Sequence, residues 1–235
     1  MRAAWRWVLL LAVAAVALGR VAAAEPLIVN GGFEEWVDVM QVPEGLRQRP
    51  EVVSVVRIPE NLWPRQWIPM RVPYRTGGPG TSEIALDETV AHSGRRSVRL
   101  TSRSTKDITC VEYIGEYALG SAVPPAAIQP NRRYRLTWWV KGLAVLPGGG
   151  GAMLEGIYYV SLLNGKGYRT APDYGDQTRP PTGTFDWQQE QFDFLTDAGA
   201  KYLAFNLQLR ETTGTIWYDD VELQDLGPAM VVETY

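Results

Sequence analysis

Cysteine and histidine are almost missing from this 235-residue chain, where Cys110 and His92 stand alone. A single thiol excludes an internal disulfide framework, so an exported chain of this kind must fold by burying a core. The two residues together are too few for the clusters that hold zinc, copper or iron. A Ser-His-Asp site would have to use His92, which lies in the glycine-containing turn "AHSGRRS"; a packed turn imidazole is the commoner role there. Cys110, in the apolar-leaning run "DITCVEYIGEYAL", reads as a small buried core residue. Long apolar runs are also lacking after residue 24, so no later segment is expected to span a bilayer.

The first 24 residues, "MRAAWRWVLLLAVAAVALGRVAAA", combine two early arginines, an apolar run from Trp7 to Leu18 and a small-residue end. That order reads as a Sec-type signal peptide, too short in its apolar part for the roughly 20 residues of a membrane span. The mature chain, from about Glu25, is then expected to be secreted or periplasmic. Losing Arg2, Arg6 and Arg20 leaves 20 basic residues against 26 acidic ones. Nucleic acid and anionic membranes, whose binding depends on phosphate neutralisation, are poor partners for such a surface. Residues 25–235 are long enough for one large core, and a single β domain is the expectation.

Convincing helical periodicity is absent, and the period along the mature chain is two. Runs such as "RSVRLTS", "ITCVEYI", "YRLTWWVKG", "GIYYVSLL", "QFDFLT", "YLAFNLQL" and "TIWYDDVEL" are separated by glycine and proline clusters. This spacing predicts an all-β antiparallel sandwich or barrel. "LLNGKGYR" predicts a hairpin on an Asn164-Gly165 turn. Residues 36–80, rich in proline and tryptophan, are expected to form long irregular loops with one or two edge strands.

In "YRLTWWVKG", alternation sends Tyr134, Leu136, Trp138 and Val140 to one face and Trp139, with Arg135, Thr137 and Lys141, to the other. The first set is the expected core. Trp139 is then a large ring among polar neighbours, suited to stacking on a pyranose, or simply covered by a loop. "KYLAFNLQLRE" divides the same way, with Leu203, Phe205, Leu207 and Leu209 inward and Asn206 and Gln208 outward. Short amides donate and accept at once, as a sugar hydroxyl requires. Tyr159, in "GIYYVSLL", is a further groove candidate, and Trp187 is assigned to packing. Two acidic pairs, Glu34-Glu35 and Asp219-Asp220, stand about 185 residues apart at the edges of strand-like runs. They are either solvated turn residues or ligands of one cation.

The ordered set "NGGFEE", "AHSGRRSVRLT", "YRLTWWVKG", "DWQQEQFDFLTDAGAKYLAFNLQL" and "GTIWYDDVEL" resembles the CenC-like carbohydrate-binding modules, the group with families four, nine and twenty-two. The resemblance runs from about Leu27 to Leu223. It implies a galactose-binding-like jelly roll, a ligand groove on the concave sheet and a structural calcium ion near the chain ends. The resemblance implies Trp139 as a sugar-stacking residue of that groove, and Asn206, Gln208 and Tyr159 are the groove candidates beside it. The implied calcium ligands are the Glu34 and Asp219 side chains with carbonyls of the turn, at Ser93 and Arg96. The function so implied is noncatalytic binding of a neutral oligo- or polysaccharide. Two other classes stay open. An assembly or adhesion domain would meet a protein through the 36–80 loops. A glycoside hydrolase would need paired carboxyls, for which Glu155 and Glu190 are available, and a polysaccharide lyase a His or Tyr base beside a cation, for which His92 or Tyr159 could serve.

Overall fold

The computed structural model describes residues 26–48, 50, 56–73, 82–113, 126–147, 158–163, 182–210 and 212–229. The leader, Glu155 and the Asn164-Gly165 turn lie outside the described residues. The strands are Trp36–Asp38 (β1), Val56–Ile58 (β2), Leu62–Pro64 (β3), Ile68–Pro73 (β4), Glu83–Asp87 (β5), Ser97–Ser102 (β6) and Asp107–Tyr113 (β7). Ala126–Ala127 (β8), Arg132–Pro147 (β9), Tyr158–Leu163 (β10), Gly183–Leu195 (β11), Tyr202–Arg210 (β12) and Thr212–Pro228 (β13) follow. Among the described residues a single 3-10 turn, Val39–Gln41, and a short α-helix, Glu44–Arg47 (α1), interrupt them.

These strands make a β-sandwich, as the period-two pattern predicts. One sheet runs β11-β9-β13-β6-β5-β2, antiparallel except for the β2–β5 pair. The facing sheet runs β10-β12-β7-β4, with β8 beside β12. Between them lies one core, built by alternation from both sides. Tyr134, Leu136, Trp138 and Val140 of β9 meet Leu203, Phe205, Leu207 and Leu209 of β12, with Leu100, Val111 and Ile216. Removing a leucine or phenylalanine from water in this way stabilises the fold by about 1.5–3 kcal/mol per side chain. Trp67 closes one end of the core, its ring 4.7 Å from Phe33 and edge-on to Tyr113 and Phe205.

The 36–80 segment is more ordered than its sequence suggests. It carries four strands, β1 to β4, and α1 rather than one or two strands in irregular loops. Edge pairing explains how prolines coexist with strands, since an edge strand can spare ladder donors. Among the described residues β4, with Pro69 and Pro73, pairs only with β7 and ends its sheet. β1 and β3 form a separate ribbon. Together with α1 this ribbon lies on the outer side of the five-stranded sheet. There Leu46, Trp63, Ile68 and Met70 bury Cys110 completely, as expected for a small core residue.

Candidate functional site

The structure gathers the chain ends at a carboxylate cluster. Residues 28–34 run beside β13, where the Val221 N–H donates to the Gly31 carbonyl at 3.0 Å. Gly31 is required here, because a Cβ would fall on the Val221 carbonyl oxygen. A regular strand would send Asp219 and Asp220 to opposite faces. Instead the register shifts between Asp219 and Glu222, and Asp220 takes a φ of 46°. The bulge turns both carboxylates to the 92–96 turn. Asp219 Oδ2 accepts from the N–H groups of His92 (2.8 Å) and Ser93 (3.2 Å). Asp220 takes the Ser93 hydroxyl at 2.8 Å and lies 2.6 Å from His92 Nδ1. Glu34 Oε1 accepts from the N–H groups of Arg95 and Arg96 at 2.6 and 3.0 Å, and Arg96 Nη1 donates to the Glu34 carbonyl.

Asp219 is wholly buried, and burial, followed by the adjacent Asp220 charge, pushes its carboxyl up to about 6. Around Gly32 the acids converge: a Cβ there would lie 3.4 Å from Asp220 Oδ1, 3.8 Å from Asp219 Oδ1 and 3.9 Å from Glu34 Cγ. The expected residues Glu34, Ser93, Arg96 and Asp219 are therefore brought together. At Ser93 and Arg96, however, the groups that bond to the carboxylates are the N–H groups. Asp220 and His92 belong to the cluster as well; sequence reasoning held Asp220 as part of an acidic pair without naming it a ligand, and read His92 as turn packing. The signal for Asp220 was the doubled aspartate, but only the bulge aims the second acid inward.

The groove expected from Trp139, Asn206 and Gln208 does not form as one site. The alternation is right on both strands, but β9 belongs to the six-stranded sheet and β12 to the five-stranded one. Since Trp138 and Phe205 both point into the core, Trp139 and the two amides point out of opposite faces of the sandwich. Trp139 stacks instead on His92, with ring centroids 3.7 Å apart and planes 13° apart, and Trp187 meets His92 edge-on at 5.7 Å. That aromatic packing joins the carboxylate cluster to β9 and β11. It also matches the packing role expected of His92 and Trp187.

Asn206 and Gln208 remain together on the outer face of β12. Backbone register places Tyr159 of β10 and Glu112 of β7 on either side of Asn206, and Cys110 beside Gln208. Gln208 is only 2% exposed, and its Nε2 has no hydrogen-bond partner among the described residues. Asn206 Oδ1 is likewise buried without a partner among them. An unpaired donor and an unpaired acceptor thus stand two positions apart on one strand. Glu190 lies on β11, in the other sheet, its carboxyl raised above the usual range by burial. Among the described residues, no group of three or more His, Cys, Asp and Glu side chains is placed to hold a metal ion. No described helix is long and apolar enough to cross a membrane.

Solved structures of related shape are mostly carbohydrate-binding modules. A family 4 module shares 16% identity over 84% of this chain and 99% of its own, at a TM-score of 0.45. The family 22 xylan-binding domain from Paenibacillus barcinonensis Xyn10C shares 12% over 68% and 95%, at a TM-score of 0.41. The enzymatically active domain of bacteriophage CBA120 tailspike protein 4 shares 13%, and the match covers 69% of this chain but 20% of the tailspike chain, at 0.47. No protein-family model and no curated protein sequence matches the chain. The sandwich assignment rests on the strand pairing above.

Proposed function

We propose that the mature chain is an exported, noncatalytic module that binds a neutral oligo- or polysaccharide on the outer face of the five-stranded sheet. The observation that carries this reading is the pair of buried, unpartnered amide atoms, Asn206 Oδ1 and Gln208 Nε2. A buried polar atom without a partner costs about 1–3 kcal/mol. A polyhydroxylated ligand that displaced the side chains now covering these atoms would supply a donor for one and an acceptor for the other. Glu112, in register with Asn206, adds a carboxylate to the row and favours a neutral glycan over an anionic one. Tyr159 stands in backbone register with Asn206 across the ladder on β10. Trp139 takes no part in this binding.

The carboxylate cluster is a structural element in this reading and holds a calcium ion through the Glu34 and Asp219 side chains. Oxygen ligands suit calcium, and main-chain carbonyls at Ser93 and Arg96 would complete the shell. The Asp219 carboxyl, raised by burial beside Asp220, is a site where a cation relieves charge repulsion. The ion would tie both chain ends to the 92–96 turn and supply no catalysis.

Titration calorimetry against soluble glucans, xylans and mannans tests the binding. Asn206→Ala and Gln208→Ala should each weaken the binding glycan about tenfold, the equivalent of one hydrogen bond, with unchanged melting cooperativity. Trp139→Ala should bind as wild type does. Absence of heat with every glycan would instead favour an assembly domain that meets a protein through residues 36–80.

A further inference from the structure

The stretch between β1 and the end of α1 presents one reactive side chain that neither the glycan face nor the carboxylate cluster uses. Met40 is 70% exposed, whereas Met70 is buried in the cluster that holds Cys110 and Trp63. Met40 sits in the 3-10 turn Val39–Gln41, and its backbone is fixed on both sides. Its N–H donates to Asp38 Oδ1 at 2.8 Å, and the turn closes where the Val42 N–H donates to the Val39 carbonyl at 3.1 Å. The thioether so held out to water meets Arg47 of α1, whose Nη1 donates to Met40 Sδ at 3.4 Å. Arg47 is itself anchored, because its Nε donates to the Val42 carbonyl at 3.0 Å. A guanidinium is therefore pinned at the sulfur, although a thioether is only a weak acceptor.

We propose that Met40 is a modification site for hydroperoxides and that Arg47 holds the sulfoxide it forms, so that the oxidant is consumed there without loss of the fold. The thioether sulfur attacks the terminal oxygen of the hydroperoxide, and an S–O bond forms as the O–O bond breaks. Sulfur is oxidised by two electrons, the peroxide is reduced to water or an alcohol, and the terminal oxygen's proton ends on the leaving oxygen. The product replaces a weak sulfur acceptor by a strongly polar oxygen. Donation from a guanidinium gives that oxygen the stronger, charge-assisted kind of hydrogen bond. The three rotatable bonds of the side chain let the oxygen swing to Nη1. Burial makes the same chemistry harmful at Met70, where a sulfoxide would set a polar group among Leu46, Trp63 and Ile68. Neither Met40 nor Arg47 belongs to the glycan face, so the assignment stands or falls separately from glycan binding.

Hydrogen peroxide added to the whole mature protein at neutral pH, with peptide mass spectrometry over time, tests the reactivity. Met40 should be oxidised at least about tenfold faster than Met70 in native protein, and at a similar rate in urea. Urea unfolding before and after oxidation tests the Arg47 contact, with Met153 and Met230 changed to leucine so that their oxidation does not contribute. Oxidation should raise the midpoint by about 0.3 M, the effect of one exposed hydrogen bond at the urea slope of a domain this size. Arg47→Leu, which keeps an apolar stem, should abolish the rise while Met40 still reacts. The Arg47 guanidinium NMR signals of the chain with Arg47 intact should shift on oxidation, a readout that decides the contact if Arg47→Leu fails to fold. Equal oxidation of Met40 and Met70 in folded protein, a midpoint that does not rise, a rise that survives Arg47→Leu, or unshifted Arg47 signals overturns the assignment.

Discussion

Replacing Gly94 by alanine tests how the chain ends are fastened. Gly94 sits at a φ of 60°, and a Cβ on it would overlap Glu34 Oε1. The left-handed conformation costs an alanine about 1 kcal/mol. The Glu34 carboxylate must also move, and Oε1 then gives up the N–H groups of Arg95 and Arg96 at 2.6 and 3.0 Å. Hydrogen bonds to charged groups are worth about 1.5–3 kcal/mol, discounted to roughly 1 each here because water can reach the exposed side of the turn. Gly94→Ala should therefore cost about 3 kcal/mol, of which about 2 comes through Glu34. Glu34→Ala alone should cost about 2 kcal/mol through the same bonds. The double variant should cost about 3 rather than 5 kcal/mol, because without the carboxylate only the backbone strain remains. Urea unfolding in a chelating buffer measures all four proteins free of metal effects. Additive losses, or a Gly94→Ala loss confined to the backbone strain, would refute the geometry of this clamp.

Calcium should raise the melting temperature. Binding to the folded state alone adds about 2.7 kcal/mol at a hundredfold excess over Kd, several degrees for a domain of this size. Asp219→Ala should erase the difference between calcium and chelator, and identical melts for the metal-loaded and metal-free wild type would remove the ion. Asp193 has the opposite electrostatics: bonds from Arg135, then Arg133, hold its carboxyl at about 2, below the ordinary 3.8. Its folded pKa is depressed, so its stabilisation is present above the ordinary value and lost as pH falls towards 2. The stability gap between wild type and Asp193→Asn should accordingly close over that acid window, and a pH-independent gap would contradict the pairing. Cys110 is fully buried, and burial followed by the Glu112 charge pushes its thiol well above the usual range. A thiol reagent should modify it only at the rate of unfolding, and rapid labelling of native protein would show that the 36–70 segment does not cover it.

Facing directions were legible in the sequence; sheet membership was not. In β9 and β12 the alternation of apolar and polar residues is unbroken, so each core residue could be read from a local pattern. Which sheet each strand joins depends on pairing with distant strands, β9 with β11 and β13, β12 with β7 and β10. Trp139 was thereby grouped with amides that face the other way. The acidic ends were legible as a meeting point through the resemblance of "GFEE" and "YDDV". The bulge that adds Asp220 left no periodic trace. β5 was missed because Glu83 and Asp87, which face Arg99 on β6, break the apolar pattern. In the 36–80 segment prolines hid edge strands, since proline excludes a central strand but not an edge one.

The glycan face is tested most directly by amide NMR. With the side-chain NH₂ groups of Asn206 and Gln208 and the indole N–H of Trp139 assigned, a binding neutral glycan is titrated into the protein. Both amides should shift along one saturation curve, and the Trp139 indole, stacked on His92 at the opposite face, should stay in place. Saturable binding that moves the Trp139 indole and leaves both amides unshifted would contradict the account.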